Sequence, residues 1–420
     1  MNWCRKLLAR HPLSLSPAVA PRTTHRRKVN PTMTNTPLPH LQRFQQVLES
    51  LYGDFSAIRN PEQWTPPANS GGHRGRYLWT DAFGLLNLVT LHQETRRSNP
   101  DANNPYLVLA RRLAETVHDV LGHTRDGASR LPGASDANPL GGGLRIGKVN
   151  EYGSDGDGQY HHYLTLWMFA LNRLSLATGD PAYNQQAIAL ARAIHRPFFI
   201  NRGSDRPRMV WKMDVNLSRP LVASEGNLDP IDGFVVFRLL QATAAATMHD
   251  GDGDGDGRES VLTEEIQDYH RVMKRKGDHF VSGDPLDLGM TLWTAHWFAE
   301  KEEWATRLVD RCFEQIYDLF EINRYLDRNI KYRLAFREFG TCMGIRCMSG
   351  QDSEMERSVD LKVYSDRILA AWGPYMDLAL RTDVTPEDLR PITRVMYAAA
   401  MIPGAFQRGY LGPEPESSVH

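Results

Sequence analysis

Residues 159–199 read QYHHYLTLWMFALNRLSLATGDPAYNQQAIALARAIHRPFF, and this stretch decides the fold class. The run before the glycine is apolar on nearly every side, which is typical of a helix buried all round. The run after it carries alanines, with Gln185, Gln186 and Arg192 between them, which is typical of a half-exposed helix. Gly179 suits the C-terminal cap of the first helix, and Pro181 suits the first turn of the second. One buried helix joined tightly to one half-exposed helix is the unit of a two-layer helical ring.

The same alternation of buried and one-faced segments runs along the rest of the chain. Buried segments are predicted to begin near residues 77, 159, 230, 288, 330 and 386, with one-faced segments between them. This recurrence is typical of a repeated helical hairpin. Strand character is confined to residues 208–214. The sequence therefore predicts an all-α ring of about twelve helices in an inner and an outer layer. The alternative is an open α-solenoid, which the unequal repeats and long loops disfavour.

The joint between the two helices carries a resemblance to a known group of proteins. Residues 177–194, ATGDPAYNQQAIALARAI, resemble the inter-helix segment of the six-hairpin glycosidase-like superfamily. The resemblance covers this segment alone and implies an (α/α)6 toroid. It also implies a carbohydrate-active enzyme, most simply a glycoside hydrolase, in which two carboxylates at the mouth of the ring act on the substrate. No complete signature of one glycosidase family accompanies it, so it implies neither the substrate nor the stereochemical course.

Length and composition favour one large domain. The chain has 420 residues, of which 41% are hydrophobic, and a toroid of this size is a single domain. We expect the toroid to span residues 36–412, followed by a flexible tail at 413–420. Residues 1–35 are basic, contain Ser and Pro, and lack acidic residues, which is typical of either a disordered tail or a mitochondrial transit peptide.

Charge and cysteine content bound the partners and the compartment. A net charge of -1 gives no electrostatic reason for binding nucleic acid, and no run of 18 apolar residues predicts a membrane span. The four scattered cysteines favour a reducing compartment. We therefore expect a cytoplasmic protein, unless residues 1–35 direct it to mitochondria, and a small-molecule partner that is a saccharide. Nothing in the sequence predicts the oligomeric state.

Candidate catalytic residues lie near the predicted starts of the inner helices, because in a ring those starts share one mouth. They are Asp81, Asp157, Glu225, Asp232 and His161. Asp81 lies one turn into a buried helix, where desolvation would raise its pKa and suit a general acid. Asp157 is predicted to be its partner, with Glu225 and Asp232 in reserve. Asp229 precedes Pro230, a cap-plus-first-turn signature, and is expected to be structural.

Candidate substrate-binding residues are aromatic and polar side chains expected in the bore or at its mouth. They are Tyr77, Trp79, Glu151, Tyr160, Trp293, His296, Arg337 and Glu338. Aromatic rings would stack on the apolar faces of sugars. No metal and no cofactor are predicted. His161 and His162 are adjacent and would point to different faces, and the acidic run at 252–257 has Thr263 where a calcium loop needs an acid.

Two other functions stay open. An epimerase, isomerase, hydratase or lyase on the same ring would use His161, His162 and His296 as acid and base, because the pKa of histidine lies near working pH. Two histidines facing each other across the bore, without a close carboxylate pair, would favour that function. A non-catalytic binding protein would have every acid at the mouth salt-bridged or capping, and a bore filled by side chains.

Overall fold

The computed structural model describes residues 40–73, 75–153, 155–249, 260–276, 281–349, 356–381 and 389–415. The predicted leader at 1–35, the acidic run at 252–257 and residues 416–420 lie outside the described residues. None of the described helices is both long and apolar enough to cross a bilayer.

Twelve α-helices make up most of the described chain, with four two-residue strands. The helices are α1 His40–Tyr52, α2 Leu78–Ser98, α3 Tyr106–Leu121, α4 His161–Thr178, α5 Pro181–Phe198, α6 Asp229–His249, α7 Thr263–Lys276, α8 Pro285–Ala295, α9 Glu303–Tyr317, α10 Ala335–Ser349, α11 Glu356–Arg381 and α12 Arg390–Met401. The strands are β1 Gln159–Tyr160, β2 Phe199–Ile200, β3 Arg208–Met209 and β4 Lys212–Met213. β1 pairs antiparallel with β4, and β2 with β3.

The helices alternate between an inner and an outer ring. α2, α4, α6, α8, α10 and α12 contact one another in that order, and α12 returns to contact α2, so the inner ring closes. Each inner helix packs against the outer helix that follows it, and α1 is the outer partner of α12. The predicted all-α (α/α)6 toroid of about twelve helices is confirmed, and the open solenoid is excluded. The predicted strand at 208–214 is present as β3 and β4.

The hairpin of α4 and α5 forms as its sequence predicts. Gly179 takes a left-handed φ of 72°, and its N–H donates to the carbonyl of Ser175 at the end of α4. Asp180 then caps α5 by accepting from the N–H of Ala182 at 2.9 Å, and Pro181 opens the helix. The local chemistry of three consecutive residues therefore fixes the tight joint between an inner and an outer helix.

Side-chain contacts place the starts of five inner helices at one end of the ring, here called the mouth. The hydroxyls of Tyr77 and Tyr163 lie 2.6 Å apart and join the starts of α2 and α4. His162 contacts Asp229 between α4 and α6. Asn227, just before α6, contacts Asp287 of α8, and Asp284 before α8 pairs with Arg337 of α10. The predicted common mouth is therefore present.

The bore beneath the mouth is filled by the segment that follows α12, and the aromatic layer formed there is here called the floor. The ring of Phe406 lies 4.8 Å from that of Phe83 and 6.0 Å from that of Trp293, measured between centroids. The indole N–H of Trp293 donates to the carbonyl of Phe406 at 3.2 Å. The toroid therefore has a floor of aromatic side chains beneath its mouth.

Candidate functional site

Asp229 is a buried anion at the first position of α6. Its side chain is almost inaccessible, and Oδ1 accepts the main-chain N–H of His162 at 3.1 Å. The same oxygen lies 3.2 Å from Nδ1 of His162 and 3.5 Å from Nδ1 of His161. Burial raises the pKa of Asp229, but the two histidines outweigh it and hold the pKa well below its usual range. Asp229 is therefore ionised, and its charge also suits the N-terminus of α4.

Asp232 lies one turn further along α6 and has the opposite protonation state. It is 3% exposed, and its Oδ1 accepts the hydroxyl of Thr294 of α8 at 2.8 Å. Burial and the charges of Asp229 and Asp287 raise the pKa of Asp232 to about 8, against a lowering by Thr294. Asp232 therefore keeps its proton at neutral pH. Two carboxyls whose environments separate their pKa values in this way are suited to distinct acid and base roles.

Asp287 supplies a third carboxyl from the first turn of α8. It is partly exposed, and the amide of Asn227 lies 3.5 Å from its Oδ2. The charge of Asp287 raises the pKa of both Asp232 and His162. We call Asp229, Asp232 and Asp287 the acid cluster. Of its two buried members, Asp229 is ionised and Asp232 is protonated. Asp287 is the member that is partly exposed.

His162 is surrounded by an aromatic collar of four rings. They belong to Trp79, Tyr160, Tyr163 and Trp211, with centroids 6.2, 6.1, 5.0 and 6.2 Å from that of His162. The side chain of His162 is 21% exposed. Burial lowers its pKa, but the carboxylates of the acid cluster outweigh it and raise the pKa above the usual value. A histidine whose charged form is favoured therefore lies among aromatic faces beside the carboxyls.

Trp79 extends the collar into the bore. Its ring lies 5.0 Å from that of Tyr163 in the collar and 5.6 Å from that of Phe83, which contacts the floor. Its indole Nε1 is buried and has no hydrogen-bond partner among the described residues. A buried donor without a partner is unfavourable by roughly 1–3 kcal/mol, so this N–H is available to a ligand hydroxyl.

The two acids that the sequence analysis ranked first are both bound to arginine. Asp81 is fully buried, accepts from Arg76 at 3.1 Å and from the N–H of Tyr77 at 3.2 Å, and burial raises its pKa to about 6. Asp157 is bound by Arg125 at 2.7 Å and Arg145 at 3.3 Å. It also accepts main-chain N–H groups of residues 147, 148 and 158, which ties the long loop before α4 together.

Two other predicted acids pair with residues of the outer ring or its loops. Glu225 binds Arg275 of α7. Glu338, on α10, accepts the indole N–H of Trp372 of α11 at 2.9 Å and pairs with Arg333. Neither carboxylate joins the acid cluster through any contact among the described residues.

Two predicted binding residues, Trp293 and His296, lie at the floor. His296 contacts the carbonyl of Trp293 through Nδ1, and its Nε2 accepts the main-chain N–H of Arg408 at 3.0 Å. Burial lowers the pKa of His296 to about 4, so this ring is neutral at physiological pH. Both side chains connect α8 to the segment that fills the bore, whereas Thr294, between them in sequence, contacts Asp232 of the acid cluster.

The remaining predicted residues lie at the mouth, at the surface or buried beneath the mouth. Tyr77, Tyr160 and Arg337 lie at the mouth, where Arg337 binds Asp284, the cap of α8. Glu151 is exposed in the loop before α4. His161 lies beneath the mouth, fully buried against Asp229.

The sequence analysis left Asp287, Trp211 and Tyr163 out of the predicted site. Two signals pointed to the acid cluster. Asp229 and Asp232 are three residues apart, a spacing that puts both side chains on one face of a helix, and Asp287 occupies the first turn of the next inner helix. No local signal marks Trp211, because pairing of β4 with β1 is what brings it to the mouth.

Comparisons with known proteins bear on the fold. No protein-family model matches the chain, and no curated protein matches it. Among solved structures, the chain is similar to the crystal structure of a family 76 glycoside hydrolase from a bovine Bacteroides thetaiotaomicron strain. The TM-score is 0.51 and the identity 13%, over 86% of this chain and 76% of that one. The chain has the six-hairpin glycosidase fold.

The resemblance found in the sequence is thus confirmed at the level of the fold. A likeness at 13% identity carries no residue of that enzyme over to this chain. Among the described residues, no group of three or more His, Cys, Asp and Glu side chains is arranged to hold a metal ion.

Proposed function

We propose that the chain is a glycoside hydrolase whose substrate enters the mouth and lies against the aromatic collar. The observation that carries this proposal is the acid cluster, in which a protonated acid, Asp232, and an accessible carboxyl, Asp287, come from neighbouring inner helices. Cleavage of a glycosidic bond needs a carboxylic acid to protonate the leaving oxygen and a carboxylate to act at the anomeric carbon. The fold is that of a glycoside hydrolase, which supports the same reaction class.

Asp232 acts as the general acid in this proposal. Its buried position beside Asp229 and Asp287 keeps the proton bound at neutral pH until a leaving oxygen accepts it. The hydrogen bond from Thr294 to Oδ1 fixes the orientation of the carboxyl.

Asp287 acts at the anomeric carbon, as the nucleophile or as the base that activates water. Asp229 does not take this role, because its Oδ1 is occupied by two histidines and its side chain is buried. Asp81 and Asp157 are left out of the proposal because arginines bind both of them.

Substrate binding is assigned to the aromatic collar and to two donors. Trp211 and the other collar rings provide apolar faces for a sugar ring. The ring of His162 and the indole N–H of Trp79 are assigned as partners of sugar hydroxyls.

Histidine-based catalysis is less well supported. His161 and His162 contact the same carboxylate instead of facing each other across the bore, and His296 lies at the floor. A binding function without catalysis would leave every acid at the mouth salt-bridged or capping. Asp232 instead accepts its hydrogen bond from the neutral Thr294.

The test is turnover of α- and β-linked oligosaccharides by the full chain, measured as the release of reducing ends. We expect Asp232→Asn and Asp287→Asn each to lower kcat by roughly 10²–10⁴-fold, the range for loss of an acid or base. Asp119→Asn, on the exposed face of α3, is the matched control and should keep full activity.

Two outcomes would contradict the proposal. One is full turnover in both variants with unchanged circular dichroism. The other is saccharide binding by the native chain without cleavage of any linkage, which would favour the binding function.

A further inference from the structure

We infer that Tyr269 and His161 are positioning residues, which orient Asp229 of the acid cluster through a chain of polar contacts that starts on an outer helix. This inference rests on the proposed function, because Asp229 acts there through Asp232 and His162.

The chain of contacts crosses both rings of the toroid. Tyr269 belongs to the outer helix α7, is fully buried, and has its hydroxyl 2.6 Å from Nε2 of His161 on the inner helix α4. The other nitrogen of His161 lies 3.5 Å from Oδ1 of Asp229 on α6. The same oxygen then contacts Nδ1 of His162, at the centre of the aromatic collar. A group on the outer ring is thereby connected to the substrate side of the mouth.

Gly233 makes room for this connection. A Cβ atom at position 233 would lie 2.3 Å from the ring of Tyr269, so only glycine lets the ring pass against α6. Gly233 directly follows Asp232, inside a helix, where glycine is unfavourable by about 1 kcal/mol relative to alanine. The rings of Phe199, Phe237 and His195 pack around Tyr269 with centroids 5.2, 4.9 and 5.5 Å away. The tyrosine is therefore held in one orientation.

The contacts also fix where the protons lie. Ionised Asp229 can only accept, so Nδ1 of His161 carries hydrogen towards it, and Nε2 accepts from the hydroxyl of Tyr269. The other tautomer would set a lone pair of His161 against the carboxylate. Burial lowers the pKa of His161 and raises that of Tyr269, so both groups stay neutral, as this arrangement requires. The carboxylate of Asp229 thus selects the tautomer with hydrogen on Nδ1, and the hydroxyl of Tyr269 donates to the unprotonated Nε2.

The test variant is Tyr269→Phe, which removes the hydroxyl and keeps the packed ring. Nitrogen-15 NMR of histidine-labelled full chain, with His161→Gln used to assign the resonances, reports the tautomer of His161. We expect hydrogen on Nδ1 in the native chain and, in Tyr269→Phe, a changed nitrogen-15 shift of Nε2, which loses its hydrogen bond. We also expect kcat to fall by roughly 10–100-fold with KM unchanged, because a carboxylate is misplaced while no substrate contact is lost.

Tyr410→Phe is the matched control. It removes a tyrosine hydroxyl that lies 2.8 Å from Glu94, away from the mouth, and should change neither the tautomer nor kcat. Hydrogen on Nε2 of His161 in the native chain would overturn the inference, and so would a Tyr269→Phe variant with an unchanged Nε2 shift and unchanged kcat. Because the tautomer is read without substrate, it decides the inference even if the chain shows no glycosidase activity, a result that would count against the proposed function alone.

Discussion

Two buried aspartates of the inner ring, Asp81 and Asp232, differ in what faces them. Asp81 is paired with Arg76, whereas the hydrogen bond to Asp232 comes from the neutral Thr294. Burial raises the pKa of Asp81 to about 6 and, with nearby carboxylates, that of Asp232 to about 8. Asp81 therefore balances the buried charge of Arg76, while Asp232 stays protonated at neutral pH.

Substituting each of them by Asn should change stability in opposite directions at pH 8. Asp81→Asn leaves Arg76 buried without its partner, and should lower the free energy of unfolding by roughly 3 kcal/mol. Asp232→Asn should raise it, because the amide keeps the acceptor for Thr294 and has no proton to lose. The measurement is urea denaturation of both variants and the native chain.

The pH dependence of the free energy of unfolding provides the control for Asp232→Asn. A folded-state pKa above the unfolded value contributes stability that is complete below about pH 4 and is lost as pH rises towards 8. The advantage of the variant should therefore grow between pH 5 and pH 8, by about 1.4 kcal/mol for each tenfold difference in proton affinity. A constant difference across that range would contradict the assigned protonation state.

At the scale of elements, α8 and α10 pack with their backbones in contact. A Cβ at Gly289 would lie 2.1 Å from the carbonyl oxygen of Gly340, and one at Gly344 would lie 2.2 Å from that of Gly289. Gly289, Gly340 and Gly344 lie inside two apolar helices, and because they have no side chains the two helices can meet. Asp287 lies two residues before Gly289, so the same crossing sets the position of one member of the acid cluster.

Gly289→Ala should force α8 and α10 apart. We expect the free energy of unfolding to fall by roughly 1–3 kcal/mol, the usual effect of overpacking, together with reduced turnover because Asp287 moves with α8. Gly373→Ala is the control, since no atom of the described residues beyond its own helix turn lies within 4 Å of its Cβ position on α11, and it should change stability by no more than ~1 kcal/mol. Equal effects of the two substitutions would rule out the close crossing.

The hairpins were predictable because their signals are local. Gly179 and Pro181 mark a helix end and a helix start through backbone chemistry that needs no distant partner. The direction of side chains on an inner helix was read less well. Trp293 and His296 contact the segment that follows α12, whereas Thr294, between them, contacts Asp232.

The state of each acid at the mouth was not predictable from its neighbours in sequence. Asp157 receives Arg125 and Arg145 from its own long loop, whereas Asp232 faces Thr294 from the next inner helix. The sequence analysis ranked Asp157 above Asp232, because the tertiary contacts that set ion pairing do not show in neighbouring residues. The roles assigned to the acid cluster stay predictions until the variants are measured.

At the scale of the whole molecule, the closed inner ring separates a polar mouth from a packed floor. Glu414, which the sequence analysis placed in a flexible tail, accepts from Arg173 of α4 at 2.8 Å and helps to hold the last segment at the floor. Arg173 is 1% exposed, so this pair lies inside the molecule. Asp232 lies at the mouth, where burial and neighbouring charge raise its pKa.

The titration of Asp232 tests this account most directly. Infrared difference spectra of the full chain labelled with carbon-13 in its aspartate carboxyls, compared with the Asp232→Asn variant, would follow this one group across pH. We expect the protonated-carboxyl band to persist at pH 7 and to disappear around pH 8. Loss of the proton from Asp232 by pH 5 would contradict the account, because an ionised Asp232 cannot act as the proposed general acid.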